Sequence, residues 1–247
     1  FFLREFGYTL IPVDKENKFL NFDEIYKNKI TKQPVIFDIG SNEGQSIDRF
    51  CKIFDSPIIH AFEPINKEFK TLTKKYSANK NIILNNYGLG DKQDLRKLNV
   101  TAKSGNSSFL EITPNTKWLE TRSKQYNTSK DGYITDKQSV KIITLDEYCE
   151  NNSIKDIDIL KMDTQGYEEK ILQGSKKILE KGAISIIESE IMFDNVYEKY
   201  FNFSDLEKYL IPNNFRMVGL NTINNNLFSG TVFYADALYF NKKKFDL

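Results

Sequence analysis

Apolar residues in this chain fall into short solid runs that alternate with helical spacings. Val35–Ile39 is apolar except for Asp38, which is how a parallel strand buried on both faces reads. It enters Gly40-Ser41-Asn42-Glu43-Gly44, where the glycines permit a tight turn and close backbone approach. Residues 45–54 then place Ile47, Phe50, Cys51 and Phe54 on one helical face. A second strand spans 56–63 and ends in Glu63, and a helix over 66–76 presents Phe69, Leu72, Thr73 and Tyr76. A third strand at 82–84 runs into the polar glycine turn 85–91. Further along, 139–145 reads as a strand, with Asp146 as N-cap of a helix over 147–150. Ile157–Met162 is another buried strand, with polar residues gathered just beyond it. A single helix is expected over 168–180, on the spacing of Ile171, Leu172, Ser175, Ile178 and Leu179. A strand over 183–187 should end at Glu188 and Glu190. Ser204-Asp205-Leu206-Glu207 has the form of a capping box. The β-rich segments 215–220 and 232–240 flank an Asn-rich turn, a terminal antiparallel pair.

This alternation predicts an α/β fold: an open, twisted, mostly parallel sheet with helices on both faces and a closing hairpin. Two stretches stand apart from it. Residues 1–33, with apolar Phe1, Phe2, Leu3 and Phe6 and a short helix at 21–30, form an arm ahead of the main domain at 34–247. The arm packs against the core, shields the site or joins a second subunit, and simple packing is the favoured reading. Residues 99–139 lack regular periodicity and read as a lid or substrate loop containing Ser104-Gly105-Asn106-Ser107-Ser108, Trp118, Tyr126 and Tyr133.

Composition narrows the partners. The 247 residues suit one large domain, and the formal net charge of +1 offers no basic stripe for nucleic acid. No apolar run is long enough to span a bilayer, and no signal peptide is visible. Cys51 and Cys149 lack metal spacing and read as reduced thiols in a cytoplasmic protein.

The polar residues at strand ends carry the chemistry. Ligands of such sheets bind outside the C-terminal strand ends, at the switch in strand order, and Asp38, Glu63, Asn86, Asp163 and Glu188 all fall there. Asn42 occupies the position where a dinucleotide fingerprint needs its second glycine, and Asp38 repels phosphate. Both suit a ligand with a cationic or zwitterionic centre, such as S-adenosylmethionine. Glu63, 19 residues beyond Gly44, has the two acceptor oxygens that match a ribose diol. Asn86 and Tyr87 would flank an adenine. His60, the single histidine, points to the other side of its strand and reads as a packed residue.

The motifs DIGSNEG (38–44), AFEP (61–64), NYGLGD (86–91), SGNSS (104–108), ITLDEY (143–148) and LKMDTQGYE (160–168), with Glu188, resemble the FkbM family of methyltransferases over roughly 35–220. Residues 1–33 and most of 110–139 lie outside the resemblance, and Gly88 stands where many members have Ala. The resemblance implies a class I, Rossmann-like methyltransferase fold with a seven-stranded sheet. It also implies S-adenosylmethionine-dependent O-methylation, often of sugar hydroxyls in polysaccharides, glycolipids or natural products. The candidate cofactor residues are therefore Asp38, Gly40, Ser41, Asn42, Gly44, Glu63, Pro64, Asn86, Tyr87 and Asp163. The candidate catalytic residues are Asp163 as base, Glu188 as its substitute, and Lys161 as the group orienting Asp163. Asp163 with Glu168 or Glu190 would serve a Mg²⁺ ion, but the spacing of these residues is not diagnostic, and no metal site is assigned. The rival readings are an NAD-binding or nucleotide-sugar-binding oxidoreductase on a similar sheet and an inactive methyltransferase-like scaffold.

Overall fold

The computed structural model describes residues 21–222 and 233–246. Seven strands form one sheet in the order β3-β2-β1-β7-β8-β10-β9. They are β1 (Val35–Ile39), β2 (Ile58–Phe62), β3 (Ile82–Asn85), β7 (Ile157–Met162), β8 (Ile184–Met192), β9 (Phe215–Thr222) and β10 (Tyr234–Asn241). β10 is antiparallel to both of its neighbours, β8 and β9, while β3, β2, β1, β7 and β8 run parallel. The chain lays down β1, β2 and β3 outward, then returns to place β7 on the far side of β1. The crevice between β1 and β7 is thus the topological switch point.

Side-chain alternation sorts the two faces. Ile36, Ile59, Ile159 and Ile186 pack with Phe22 and Tyr26 of α1 (Phe22–Lys29), Ile47 and Phe50 of α2 (Gln45–Ile53), and Leu72 and Tyr76 of α3 (Asn66–Tyr76). Phe37, Leu160, Ile187 and Tyr239 face the opposite layer, made by α5 (Leu145–Asn151), α6 (Glu168–Gln173), α7 (Lys176–Glu180) and α8 (Phe203–Leu210). α1, the described part of the N-terminal arm, is thus packed on the chain's own sheet. The apolar Phe1, Phe2, Leu3 and Phe6 lie outside the described residues, as does most of the Asn-rich turn.

The segment expected to be irregular, 99–139, carries several regular elements separated by turns. A second sheet of β4 (Gly88–Leu89), β6 (Ile134–Ile143) and β5 (Asp94–Thr101), in the order β4-β6-β5, frames it, and α4 (Lys117–Gln125) crosses its middle. The N-terminal halves of β5 and β6 are mostly polar and exposed, and the buried residues gather in their C-terminal halves, so neither strand shows a full apolar alternation. Trp118, Leu119 and Tyr133 pack with Met192, Val196, Tyr197 and Phe233 in a separate cluster.

Smaller differences have local causes. The helix expected over 168–180 is two, with Gly174 and Ser175 between them, and a Cβ at Gly174 would collide with the Gly90 carbonyl. Thr144, not Asp146, caps α5; Asp146 accepts from the Lys177 and Ile178 amides at 2.8 and 2.9 Å, at the start of α7. The capping box of α8 is formed by Asn202 and Asp205. Cys51 is exposed beside the buried Ile47 and Phe50. β8 runs to Met192, so Glu188 lies inside the strand rather than at its end.

Gly174→Ala should cost about 1–3 kcal/mol of stability, the range for overpacking a filled interior, measured by urea unfolding. A variant as stable as the wild type would show that the α6–α7 junction relaxes around the methyl group.

Candidate active site

A cavity of about 380 Å³ opens at the switch point, within the range of small-molecule sites. Gly40, Ser41, Asn42, Glu63, Pro64, Tyr87 and Asp163 line it, so the structure brings seven of the sequence-predicted residues together. Gly40 is required there: its φ is +88°, and a Cβ would strike the Asp163 carbonyl. The strands are stitched at this point by Gly40 N–H to the Phe62 carbonyl at 3.0 Å and Asp163 N–H to the Ile39 carbonyl at 3.0 Å. Glu63 accepts from the Asn42 amide at 2.8 Å and the Ile65 amide at 2.7 Å. Burial nevertheless pushes its carboxyl up to about 7. The Ser104–Asn106 turn closes over the glycine loop, with Ser104 Oγ donating to Asn42 Oδ1 at 3.2 Å.

The other expected residues do not line the cavity. Gly44, at φ +90°, starts α2, and a Cβ there would meet the Tyr76 ring. Asn86 holds the Glu63-Pro64 turn, donating to the Glu63 carbonyl at 3.0 Å. His60 sits against Tyr148 Oη at 2.7 Å, and burial pushes its pKa down to about 4, so it is neutral at physiological pH.

Asp38, Lys161 and Glu188 instead form a buried row beneath the cavity floor. The register sets Asp38 beside Lys161 and Lys161 beside Glu188. Lys161 Nζ lies 3.2 Å from Asp163 Oδ2 and 3.9 Å from Asp38 Oδ1. Burial works against its charge, but Asp163, Asp38, Glu188 and Asp236 outweigh that and raise its pKa above the ordinary lysine value. Both Asp38 carboxylate oxygens are buried without a hydrogen bond, and burial raises that carboxyl. Glu188 turns toward the arm. It accepts from the Tyr26 phenol and, at 2.6 Å, from Arg49 Nη1, which leaves it committed and remote from any ligand.

One rung above, three carboxylates face the cavity: Asp163, Glu190 and Asp236. Gln165, held at φ +57°, donates to Asp163 Oδ1 at 3.1 Å and Glu190 Oε2 at 2.7 Å. Burial, then repulsion from Asp163, Glu168 and Asp236, raises the Glu190 carboxyl well above its usual range. Asp236 stands opposite Glu190 in register, and no hydrogen bond reaches its side chain among the described residues. Burial, then Glu188 and Asp163, push it up to about 7. Sequence reading missed Asp236 as a site residue. Its one signal was a carboxylate inside the apolar run 233–240, in a strand whose place in the sheet had not been fixed. Glu168 does not join this group; its Oε1 accepts from Thr164 N at 2.8 Å. Among the described residues no three Asp, Glu, His or Cys side chains are placed to hold a metal ion.

Residues 38–217 match the family model described as "Methyltransferase FkbM domain". The chain belongs to the FkbM methyltransferase family. Among curated proteins, this FkbM chain is 24% identical over 149 residues to the 2-O-methyltransferase NoeI of Sinorhizobium fredii (strain NBRC 101917 / NGR234); the match covers 60% of each protein. The chain thus spans 60% of that relative's length, less than two thirds. Among solved structures, methyltransferase FkbM from Methylobacillus flagellatus KT superposes with a TM-score of 0.52 at 14% identity, over 84% of this chain and 43% of that one. The sheet order with β10 antiparallel is the class I methyltransferase fold. No helix among the described residues of this FkbM protein is long and apolar enough to cross a membrane.

In carboxyl ¹³C spectra of Asp-labelled protein, one resonance should titrate near pH 7 and be missing in Asp236→Asn. A complete set of aspartates titrating below pH 5, roughly the ordinary range, would contradict the environment described for Asp236.

Proposed function

We propose that this FkbM methyltransferase transfers a methyl group from S-adenosylmethionine to a hydroxyl of a sugar-like acceptor. The observation that carries the reading is one cavity with Glu63 and the glycine turn among its lining residues and three carboxylates also facing it. The residues present fit the donor. Gly40 and Asn42 supply backbone at close approach, and Glu63 keeps lone pairs beyond its two amide bonds for a ribose diol. Tyr87, packed edge-on to Phe62 with ring centroids 5.9 Å apart, offers a flat wall for a base. Four carboxylates lining the cavity favour a cationic ligand. The donor supplies an electrophilic methyl group already activated by its positive sulfur.

The chain's own residues then have to position and deprotonate the acceptor. Asp163 is held by Lys161 and Gln165, which donate to both of its oxygens. Asp236, free of hydrogen bonds among the described residues and pushed up to about 7, is better matched to the task and receives the hydroxyl proton. Glu190, beside it, orients the hydroxyl. The 2-O-methyltransferase name of the relative supports O-transfer. Trp118, Phe233 and Tyr234 on the far wall suit the apolar face of a sugar ring.

Calorimetric titration should show S-adenosylmethionine binding and no NAD(H) binding. Glu63→Ala should weaken S-adenosylmethionine by about 1–3 kcal/mol, the scale for unpaired buried polar groups, and an unchanged dissociation constant refutes the ribose contact. Asp236→Asn should slow methyl transfer to a glycoside panel by about 10²–10⁴-fold at unchanged donor affinity. Full turnover in that variant would return the proton to Asp163 or Glu190.

A further inference from the structure

The far wall of the cavity contains a cation that the methyl-transfer reading leaves unused. Among the described lining residues, Arg122 is the single Lys, Arg or His side chain. It projects from α4 one turn after Trp118, with its guanidinium 5.9 Å from the indole centroid. Thr116 fixes this face of the helix by capping it through the Leu119 amide at 3.1 Å.

The chain treats its other interior arginines differently. Arg49 is held by Asp23 and Glu188, and Arg96 by Asp91 and Asp94. Arg122 has no carboxylate partner among the described residues; its Nη1 reaches only the Gln125 amide oxygen, at 2.9 Å. Its Nε is buried and lacks any hydrogen bond. Residues 223–232, which precede the cavity residues Phe233 and Tyr234 in sequence, contain no Asp or Glu. Buried donors in folded proteins are paired in the great majority of cases, so a guanidinium that lines a ligand cavity without a carboxylate partner among the described residues calls for one carried by the ligand.

We infer that the acceptor is an acidic sugar, bearing a carboxylate or phosphate that Arg122 grips while Trp118 and Tyr234 flank the ring. The planar fork of arginine matches either anion in two parallel bonds, which a neutral hydroxyl cannot reproduce. The inference rests on the methyl-transfer reading for the location of the acceptor. It adds the charge of the substrate, which that reading leaves open. In a cavity whose other charged lining residues are all acidic, Arg122 provides the one positive group for such an anion among the described residues.

The test titrates methyl β-glucuronide, glucose 1-phosphate and neutral methyl β-glucoside into the protein, with and without saturating S-adenosylhomocysteine, by calorimetry. One or both anionic sugars should bind about 10- to 100-fold more tightly than the neutral one, as charge-assisted pairs allow, and the two anionic arms distinguish carboxylate from phosphate. Arg122→Met should erase that preference while S-adenosylhomocysteine affinity stays within about twofold, the signature of an intact fold; Arg122→Lys should retain part of it. Equal binding of all three sugars, no binding of any, or an anion preference that survives Arg122→Met overturns the inference. So does a loss of S-adenosylhomocysteine affinity in Arg122→Met, which would assign the arginine to the donor's own carboxylate. If S-adenosylhomocysteine does not bind the wild type, the donor reading fails on its own, and the sugar titrations still report on Arg122.

Discussion

A single ammonium, that of Lys161, holds the centre of this protein together electrically. It stands on the middle strand of a sheet whose neighbouring positions are occupied by Asp38 and Glu188, with Asp163 and Asp236 above. Without it, a fully buried Asp38 with no hydrogen bond would be an uncompensated charge in an apolar layer. Lys161 is hydrogen-bonded to Asp163, whereas Glu63, Glu190 and Asp236, the other carboxylates at the cavity, are all raised by burial. Arrangements of like charge around one counter-ion are a known way to spread the proton affinities of neighbouring acids.

The cavity has two halves of different construction. One half is built on strand ends locked by backbone hydrogen bonds, from Gly40 to Phe62 and from Asp163 to Ile39. The opposite wall is assembled from α4 and the C-terminal end of β8, packed as a separate apolar cluster, with the Ser104–Asn106 turn tied to it through Tyr133 and Tyr197. A rigid cradle facing a separately packed wall suits chemistry in which one ligand is constant and the other varies.

Much of this could be read from the sequence, and the limits are physical. β1 and β7 are buried on both faces, so their solid apolar runs stand out, and the glycines after β1 and Glu63 after β2 follow from the fold's strand-end rule. Glu188 misled because strand length cannot be read from apolarity once a strand carries paired charges: β8 continues four residues past it to Met192. Asp38 misled in a related way. It belongs to the cofactor turn by sequence, yet its side chain points under the loop to Lys161. Asp236 and Arg122 escaped because each becomes meaningful only through long-range placement, one by β10 inserting between β8 and β9, the other by α4 reaching over the sheet edge.

The docking of α1 carries one more implication. Its Tyr26 is wholly enclosed and supplies a donor to Glu188, while Asp23 anchors Arg49 from the same helix. A polypeptide trimmed to the stretch matched by the family pattern would begin at residue 38 and lack this helix. It would uncover an apolar layer and strip Glu188 of its phenol. The packed layer on this face of the sheet therefore includes a helix that lies upstream of the stretch matched by the family model.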